Sequence, residues 1–102
     1  MEKNYYKINF DDNFIDLGFH QSYRGYGEWV MDLGRVGGIS NYLVCTFLQN
    51  DYSINNWLTI EIVQKTGKKG KDINKFIKFN GRINNRIEME FLITLILKTY
   101  KL

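Results

Sequence analysis

The side chains that most often perform catalysis or bind metal ions are scarce in this sequence. His20 is the only histidine and Cys45 the only cysteine, so no His/Cys cluster of the zinc-binding kind can form. His20 has Asp16 and Glu28 as nearby carboxylate partners for base catalysis, but such chemistry also needs a defined geometry. Cys45 lies in the apolar run of residues 42–48, where a thiol is buried and inert. We therefore expect no catalytic residue, metal site or cofactor.

Two further groups of residues resemble functional motifs but have a structural explanation. Asp11, Asp12 and Asp16 form an acidic cluster at the start of a predicted helix, where carboxylates cap the free N–H groups and suit the helix dipole. Residues 34–38 are rich in glycine, as phosphate-binding loops are, but the Lys-Ser/Thr ending of such loops is missing. These residues instead predict a hairpin turn.

Charge is distributed unevenly along the chain. Residues 1–64 carry four basic and eight acidic side chains, whereas residues 65–102 carry ten basic and three acidic ones, which leaves a net charge of +3. Two interpretations follow: a nucleic-acid surface, which gains affinity by releasing counterions, or a solvated loop and an edge strand protected by lysine. The excess of Lys over Arg favours the second. The candidate nucleic-acid-binding residues are Lys68, Lys69, Lys71, Lys75, Lys78 and Arg82.

An aromatic, glycine-rich loop follows the predicted N-terminal helix. Tyr23, Arg24, Tyr26 and Trp29 belong to the residue types that are enriched at binding hot spots, and the neighbouring glycines allow the loop to adapt to a partner. We take these four residues as candidate partner-binding residues. The alternative is that their rings simply cover the edge of the core.

The chain has the length and composition of one α+β domain, residues 1–102. Hydrophobic residues make up 44% of it and aromatic residues 16%, enough for a sizeable core. Alternating apolar residues predict up to five strands, at residues 5–10, 28–33, 41–49, 57–64 and 73–79. A short helix is predicted from Asp11, ended by Gly18. We expect an antiparallel sheet of four to five strands, with this helix and a C-terminal helix packed on one face.

The C-terminal segment fits either a helix or a strand. Asn85 and Glu88 match a capping box, which favours a helix, although every second residue from Met89 to Leu97 is apolar, as in a strand. As a helix, the segment has two apolar stripes: Met89, Leu92, Ile93 and Ile96 on one side, and Ile87, Phe91 and Leu95 on another. One sheet face covers only one stripe, so we predict a homodimer through this segment.

Several features indicate a cytoplasmic protein. A small secreted domain usually has several cysteines, and this chain has one. The first six residues lack the pattern of a signal peptide, and no apolar stretch approaches the ~20 residues that cross a bilayer.

A resemblance adds a function hypothesis. Residues 13–19, the aromatic strand with Trp29, and residues 80–85 before a helix resemble small proteins of phages and mobile islands in low-GC bacteria. The resemblance implies a protein that binds and inhibits a host or rival-element protein in the bacterial cytoplasm, as anti-CRISPRs do. Nucleic-acid mimics in that group are strongly acidic, and the net charge of +3 departs from them. The leading hypothesis is therefore a non-enzymatic protein-binding inhibitor. The alternatives are a small nucleic-acid-binding accessory protein and a small hydrolase or transferase.

Overall fold

The computed structural model describes residues 11–22, 27–49, 56–66 and 71–100. The elements are the helix α1 (Asp11–Asp16), the strands β1 (His20–Gln21), β2 (Glu28–Val36), β3 (Ile39–Gln49), β4 (Asn56–Thr66) and β5 (Lys71–Ile83), and the helix α2 (Arg86–Thr99). The predicted strand at residues 5–10, and residues 50–55 and 67–70 between predicted strands, lie outside the described residues.

The five strands form one antiparallel sheet in chain order, β1-β2-β3-β4-β5. The expected α+β fold is confirmed, as is the central position of β3. Strand alternation gives the sheet two faces. The face that carries Leu58, Ile60 and Ile62 is buried, and we call it the helix face. The other carries Trp57, Thr59 and Glu61, and we call it the open face.

The short helix α1 ends as its sequence predicts. Gly18 has a φ of 100°, which suits glycine at a helix C-terminus. The N–H of Phe19 donates to the carbonyl of Phe14 (2.9 Å), and the N–H of Gly18 donates to that of Ile15 (3.0 Å), so the two bonds make a Schellman motif. This motif folds the Phe19 ring back against the edge of the Phe14 ring, with centroids 5.6 Å apart.

The C-terminal segment is a helix, so the strand alternative is wrong. Asn85 is the N-cap, and its side chain accepts a hydrogen bond from the N–H of Glu88 (2.8 Å). The Glu88 carboxylate in turn accepts from the N–H of Asn84 (2.8 Å). These bonds satisfy N–H groups that have no partner within the helix. The helix also buries Met89 and Ile93 completely, because residues four apart lie on the same side of a helix. Capping and burial together outweigh the strand-like alternation.

The core lies between the helix face and the two helices. Phe14 stacks on Trp29 of β2 with ring centroids 5.2 Å apart and planes 9° from parallel. Cys45 of β3 is completely buried among apolar side chains, as predicted, and burial raises the pKa of its thiol. The thiol is therefore protonated and unreactive at neutral pH.

The glycine-rich turn is shorter than the sequence predicts. Strand β2 continues to Val36, so only Gly37 and Gly38, with φ of 58° and 80°, form the hairpin turn. Asp32 and Gly34 pair with Tyr42 and Asn41, which are consecutive residues of β3. Leu33 is therefore the extra residue of a bulge. Asp32 steadies this bulge, since its carboxylate accepts from the N–H of Gly34 (2.8 Å).

The N-cap of α2 yields a stability prediction. Asn85→Ala removes the acceptor for the N–H of Glu88, and we expect it to lower the free energy of unfolding by about 1 kcal/mol. Asn84→Ala is the matched control, because Asn84 contributes its backbone N–H rather than a side-chain cap. Urea denaturation followed by circular dichroism measures both variants. Equal stability of the two variants would contradict the capping role of Asn85.

Candidate protein-binding surface

The predicted partner-binding residues separate in the structure. Tyr23, Arg24 and Tyr26 lie outside the described residues. Trp29 is only 4% exposed and stacks on Phe14, so its side chain is a core residue rather than a surface contact. Trp29 therefore fits the alternative interpretation from the sequence, in which the aromatic rings cover the core.

The two residues that flank the 23–26 segment are fixed by backbone hydrogen bonds. The N–H of Ser22 donates to the carbonyl of Glu28 (2.9 Å), and the N–H of Phe47 donates to the carbonyl of Gly27 (2.7 Å). Gly27 has a φ of 76°, and a Cβ added there would lie 2.3 Å from the Phe47 carbonyl oxygen. Only glycine allows β2 and β3 to approach this closely at that point.

The described side chains of the basic segment, those of Lys75, Lys78 and Arg82, do not gather on one surface. Lys68 and Lys69 lie outside the described residues, and Lys71 is the first residue of β5. Lys75 and Arg82 pair with open-face residues of β4, namely Val63 and Trp57.

Lys78 lies on the other side of the sheet from those two residues. Its Nζ is 4.5 Å from the centroid of the Tyr100 ring, at the C-terminal end of α2. A phosphate backbone could therefore contact either Lys75 and Arg82 or Lys78, but a single straight path does not join all three.

Strand β5 also has the features of a protected edge strand. It is the last strand of the sheet, and two register shifts leave Ile73 and Lys78 without a Cα partner on β4. Bulges and lysines of this kind hinder the pairing of an edge with another chain. This position supports the second interpretation of the lysine-rich segment, an edge strand protected by lysine.

The open face contains a concavity of about 300 Å³. Val30, Val44 and Val63 form an apolar floor that is central in the pairing of β2, β3 and β4. The lining combines two carboxylates and two lysines, Glu28, Glu61, Lys65 and Lys75, and it also includes His20. Within the described residues, no three His, Cys, Asp or Glu side chains are grouped as metal ligands. The concavity therefore offers a mixed-charge surface, and its lining also places Ser22 beside His20 and Glu28.

An exposed tryptophan lies at one end of the open face. Trp57 is 44% exposed, yet its orientation is fixed because its indole Nε1–H donates to the side-chain oxygen of Asn80 (2.7 Å). The Thr59 hydroxyl donates to the same oxygen (3.0 Å). Leu48 and Arg82 flank Trp57 as its cross-strand neighbours, and Leu48 is also exposed. We call Leu48, Trp57 and Arg82 the Trp57 patch.

The sequence contained a signal for this patch. Residues two apart in a strand share a face. Trp57 shares its face with Thr59 and Glu61, whereas Trp29 shares its face with Met31 and Leu33. The polar neighbours of Trp57 and the apolar neighbours of Trp29 indicate which tryptophan is exposed.

A second exposed apolar surface lies on α2. Ile87, Phe91 and Leu95 are 79%, 65% and 51% exposed, and their four-residue spacing aligns them on one side of the helix. We call them the α2 stripe. Helix α1 contacts α2 through a hydrogen bond from the Asn13 amide to the Glu90 carboxylate, but the stripe stays exposed beside that contact.

Taken together, these features define an α+β domain with a five-stranded antiparallel sheet, and the exposed apolar surfaces of its described residues include the Trp57 patch and the α2 stripe. Compared with protein-family models, curated proteins and solved structures, the chain matches none of them. Neither described helix has the length and apolar character needed to cross a bilayer.

The close approach at Gly27 yields a second prediction. Gly27→Ala adds a Cβ against the Phe47 carbonyl at a positive φ, and we expect a loss of stability of about 1–3 kcal/mol or more. Gly38→Ala is the matched control, because Gly38 has nearly the same φ (80°) but open space around its Cα. Thermal unfolding compares the two variants. A Gly27 variant no less stable than the Gly38 variant would show that the contact between β2 and β3 is not close there.

Proposed function

We propose that this chain is a non-enzymatic domain that acts by protein–protein contact, with the Trp57 patch as its contact surface. The observation that carries the proposal is an exposed tryptophan whose ring is already held in place by Asn80. Trp and Arg are the residue types most enriched at binding hot spots, and the patch places Trp57 beside Arg82.

The fixed geometry of the patch favours tight binding. Immobilising a flexible side chain at an interface costs roughly 0.5–1.5 kcal/mol, and a ring held by a hydrogen bond before binding avoids most of that cost. The indole N–H also needs no partner from the bound protein, because Asn80 already satisfies it. The open side of the ring and the Leu48 side chain then remain for apolar contact, with the Arg82 guanidinium at the rim for a carboxylate.

The resemblance to small phage and mobile-island proteins supports a more specific role. We propose that the bound protein belongs to a host defence or replication system, or to a rival element, in the bacterial cytoplasm, and that binding inhibits it. Tyr23, Arg24 and Tyr26 remain candidate contacts in this proposal. The α2 stripe supports a homodimer as well.

Nucleic-acid binding is the alternative function. The lysine-rich segment supports it, and the placement of Lys75, Lys78 and Arg82 on both sides of the sheet weighs against it. The two functions respond differently to salt, because phosphate contacts weaken steeply between about 50 and 200 mM salt and an interface centred on tryptophan does not.

Capture from a lysate of a low-GC bacterium tests the proposed function. We expect Trp57→Ala to weaken retention of the bound protein by about 30-fold, the equivalent of a 2 kcal/mol hot spot. Val36→Ala is the matched control, since Val36 is also an exposed apolar strand residue but lies at the β2–β3 hairpin, outside the patch. Titration of the purified bound protein then gives the dissociation constants. Equal affinity of wild type and Trp57→Ala would refute the patch as the contact surface.

The alternative has its own test. If the lysine-rich segment binds nucleic acid, wild type should shift the mobility of duplex or single-stranded DNA at about 50 mM salt. At this low salt concentration the Debye screening length is about 14 Å, so phosphate contacts are only weakly screened. Replacing Lys68, Lys69 and Lys71 with Glu should then abolish the shift. Absence of any shift by wild type at micromolar protein would eliminate this function.

A further inference from the structure

The α2 stripe carries an inference of its own. Its opposite side is occupied, because Met89 and Ile93 are fully buried against the sheet. The exposed side continues beyond Ile87, Phe91 and Leu95 to Lys98, which follows Leu95 by three residues and shares its side of the helix. Soluble monomers seldom expose several large aliphatic and aromatic side chains in one row.

Charges along α2 differ between its two halves. Glu88 and Glu90 lie in the N-terminal half, on either side of the stripe, and Lys98 lies in the last turn. Arg86 is also in the N-terminal half, but it lies on the side of the helix turned away from the stripe, and this half keeps a net negative charge. Two such helices side by side in parallel would place like charges level with each other. In an antiparallel pair the acidic half of one helix meets the basic end of the other, and the helix dipoles also oppose favourably.

The α2 stripe, like the charges, is suited to an antiparallel pair of helices. Phe91 is its middle residue, and Ile87 and Leu95 stand one turn before and one turn after it. When an antiparallel pair is centred on Phe91, each Ile87 is level with Leu95 of the second copy. Lys98 then lies about one helical turn from Glu88 of the second copy, within reach of a lysine side chain. A surface that complements itself in this way is what a two-fold dimer requires.

We propose that α2 pairs antiparallel with α2 of a second copy of this chain, with the two-fold axis passing beside Phe91. This proposal specifies the homodimer named under the proposed function and rests on that part of it, while the Trp57 patch is on the other face of the sheet from α2. Each copy keeps its open face outward.

Disulfide cross-linking tests this arrangement, because the one native thiol, Cys45, is buried and unreactive. Phe91→Cys places a cysteine at the axis, and we expect a disulfide-linked dimer under mild oxidation. Its formation should be about a thousandfold faster than for Val36→Cys at micromolar protein, because a thiol within a dimer has an effective concentration in the millimolar range. Val36 is exposed at the β2–β3 hairpin, away from α2.

A mixed experiment determines the direction of the helices. Ile87→Cys and Leu95→Cys should cross-link with each other when mixed, and neither should cross-link alone. In the antiparallel pair two copies of residue 87 are about 12 Å apart along the helix axis, beyond the reach of a disulfide. Ile87→Cys that cross-links with itself as fast as Phe91→Cys would overturn the antiparallel arrangement.

Light scattering provides a measurement without cysteines. Wild type should be a dimer at high micromolar concentration, and Phe91→Glu should be a folded monomer, since two glutamates at the axis repel each other. Circular dichroism checks that Phe91→Glu is folded. Ile93→Asp, at a fully buried position, provides the reference spectrum of an unfolded variant. Trp57→Ala should remain dimeric, whereas Phe91→Glu should keep its affinity for the bound protein. A monomeric wild type would refute the dimer and leave the Trp57 patch to its own test.

Discussion

The packing of α2 on the helix face is the contact on which the rest of the structure depends. A single antiparallel sheet with one apolar face is stable only if something covers that face. Met89 and Ile93 do this, and α1 completes the cover through Phe14, which stacks on Trp29. Full burial of side chains of this size contributes roughly 1.5–3 kcal/mol each. Because both described helices lie on one side, neither of them covers the other side of the sheet.

The two proposed surfaces differ in how they are supported. The Trp57 patch is part of a five-stranded sheet, and the side chain of Asn80 fixes its central ring. The α2 stripe is the back of a helix whose front is the core, so its position is set by the buried residues Met89 and Ile93. The Trp57 ring and the backbone of α2 are therefore held in place by contacts within the chain, which lowers the entropic cost of binding in both proposals. A dimer through α2 would present two Trp57 patches on its outer sides, so a partner with two sites would be bound with higher avidity.

Local signals in the sequence predicted the fold well. Gly18 and the pair Asn85 and Glu88 each act within one helical turn, and the structure contains the α1 end and the α2 cap that they specify. The extra residues Leu33 and Lys78 were not predicted, because a bulge depends on the register against another strand. The candidate site was harder to predict than the fold, because Trp29 and Trp57 both lie in apolar strands. Only the polar residues two positions after Trp57 distinguish them, and a prediction based on residue type alone chose the buried one.

The strand order has a consequence for the way in which the chain folds. Every strand pairs with its neighbour in the sequence, so most contacts in the sheet are hairpin contacts that close short loops. Topologies of this kind have a low contact order, and folding is correspondingly fast for an all-antiparallel sheet. Helix α2 follows all five strands in the chain, however. During synthesis the part of the apolar helix face that Met89 and Ile93 cover therefore stays exposed until α2 leaves the ribosome, and in that interval the nascent sheet is the species that a chaperone would recognise.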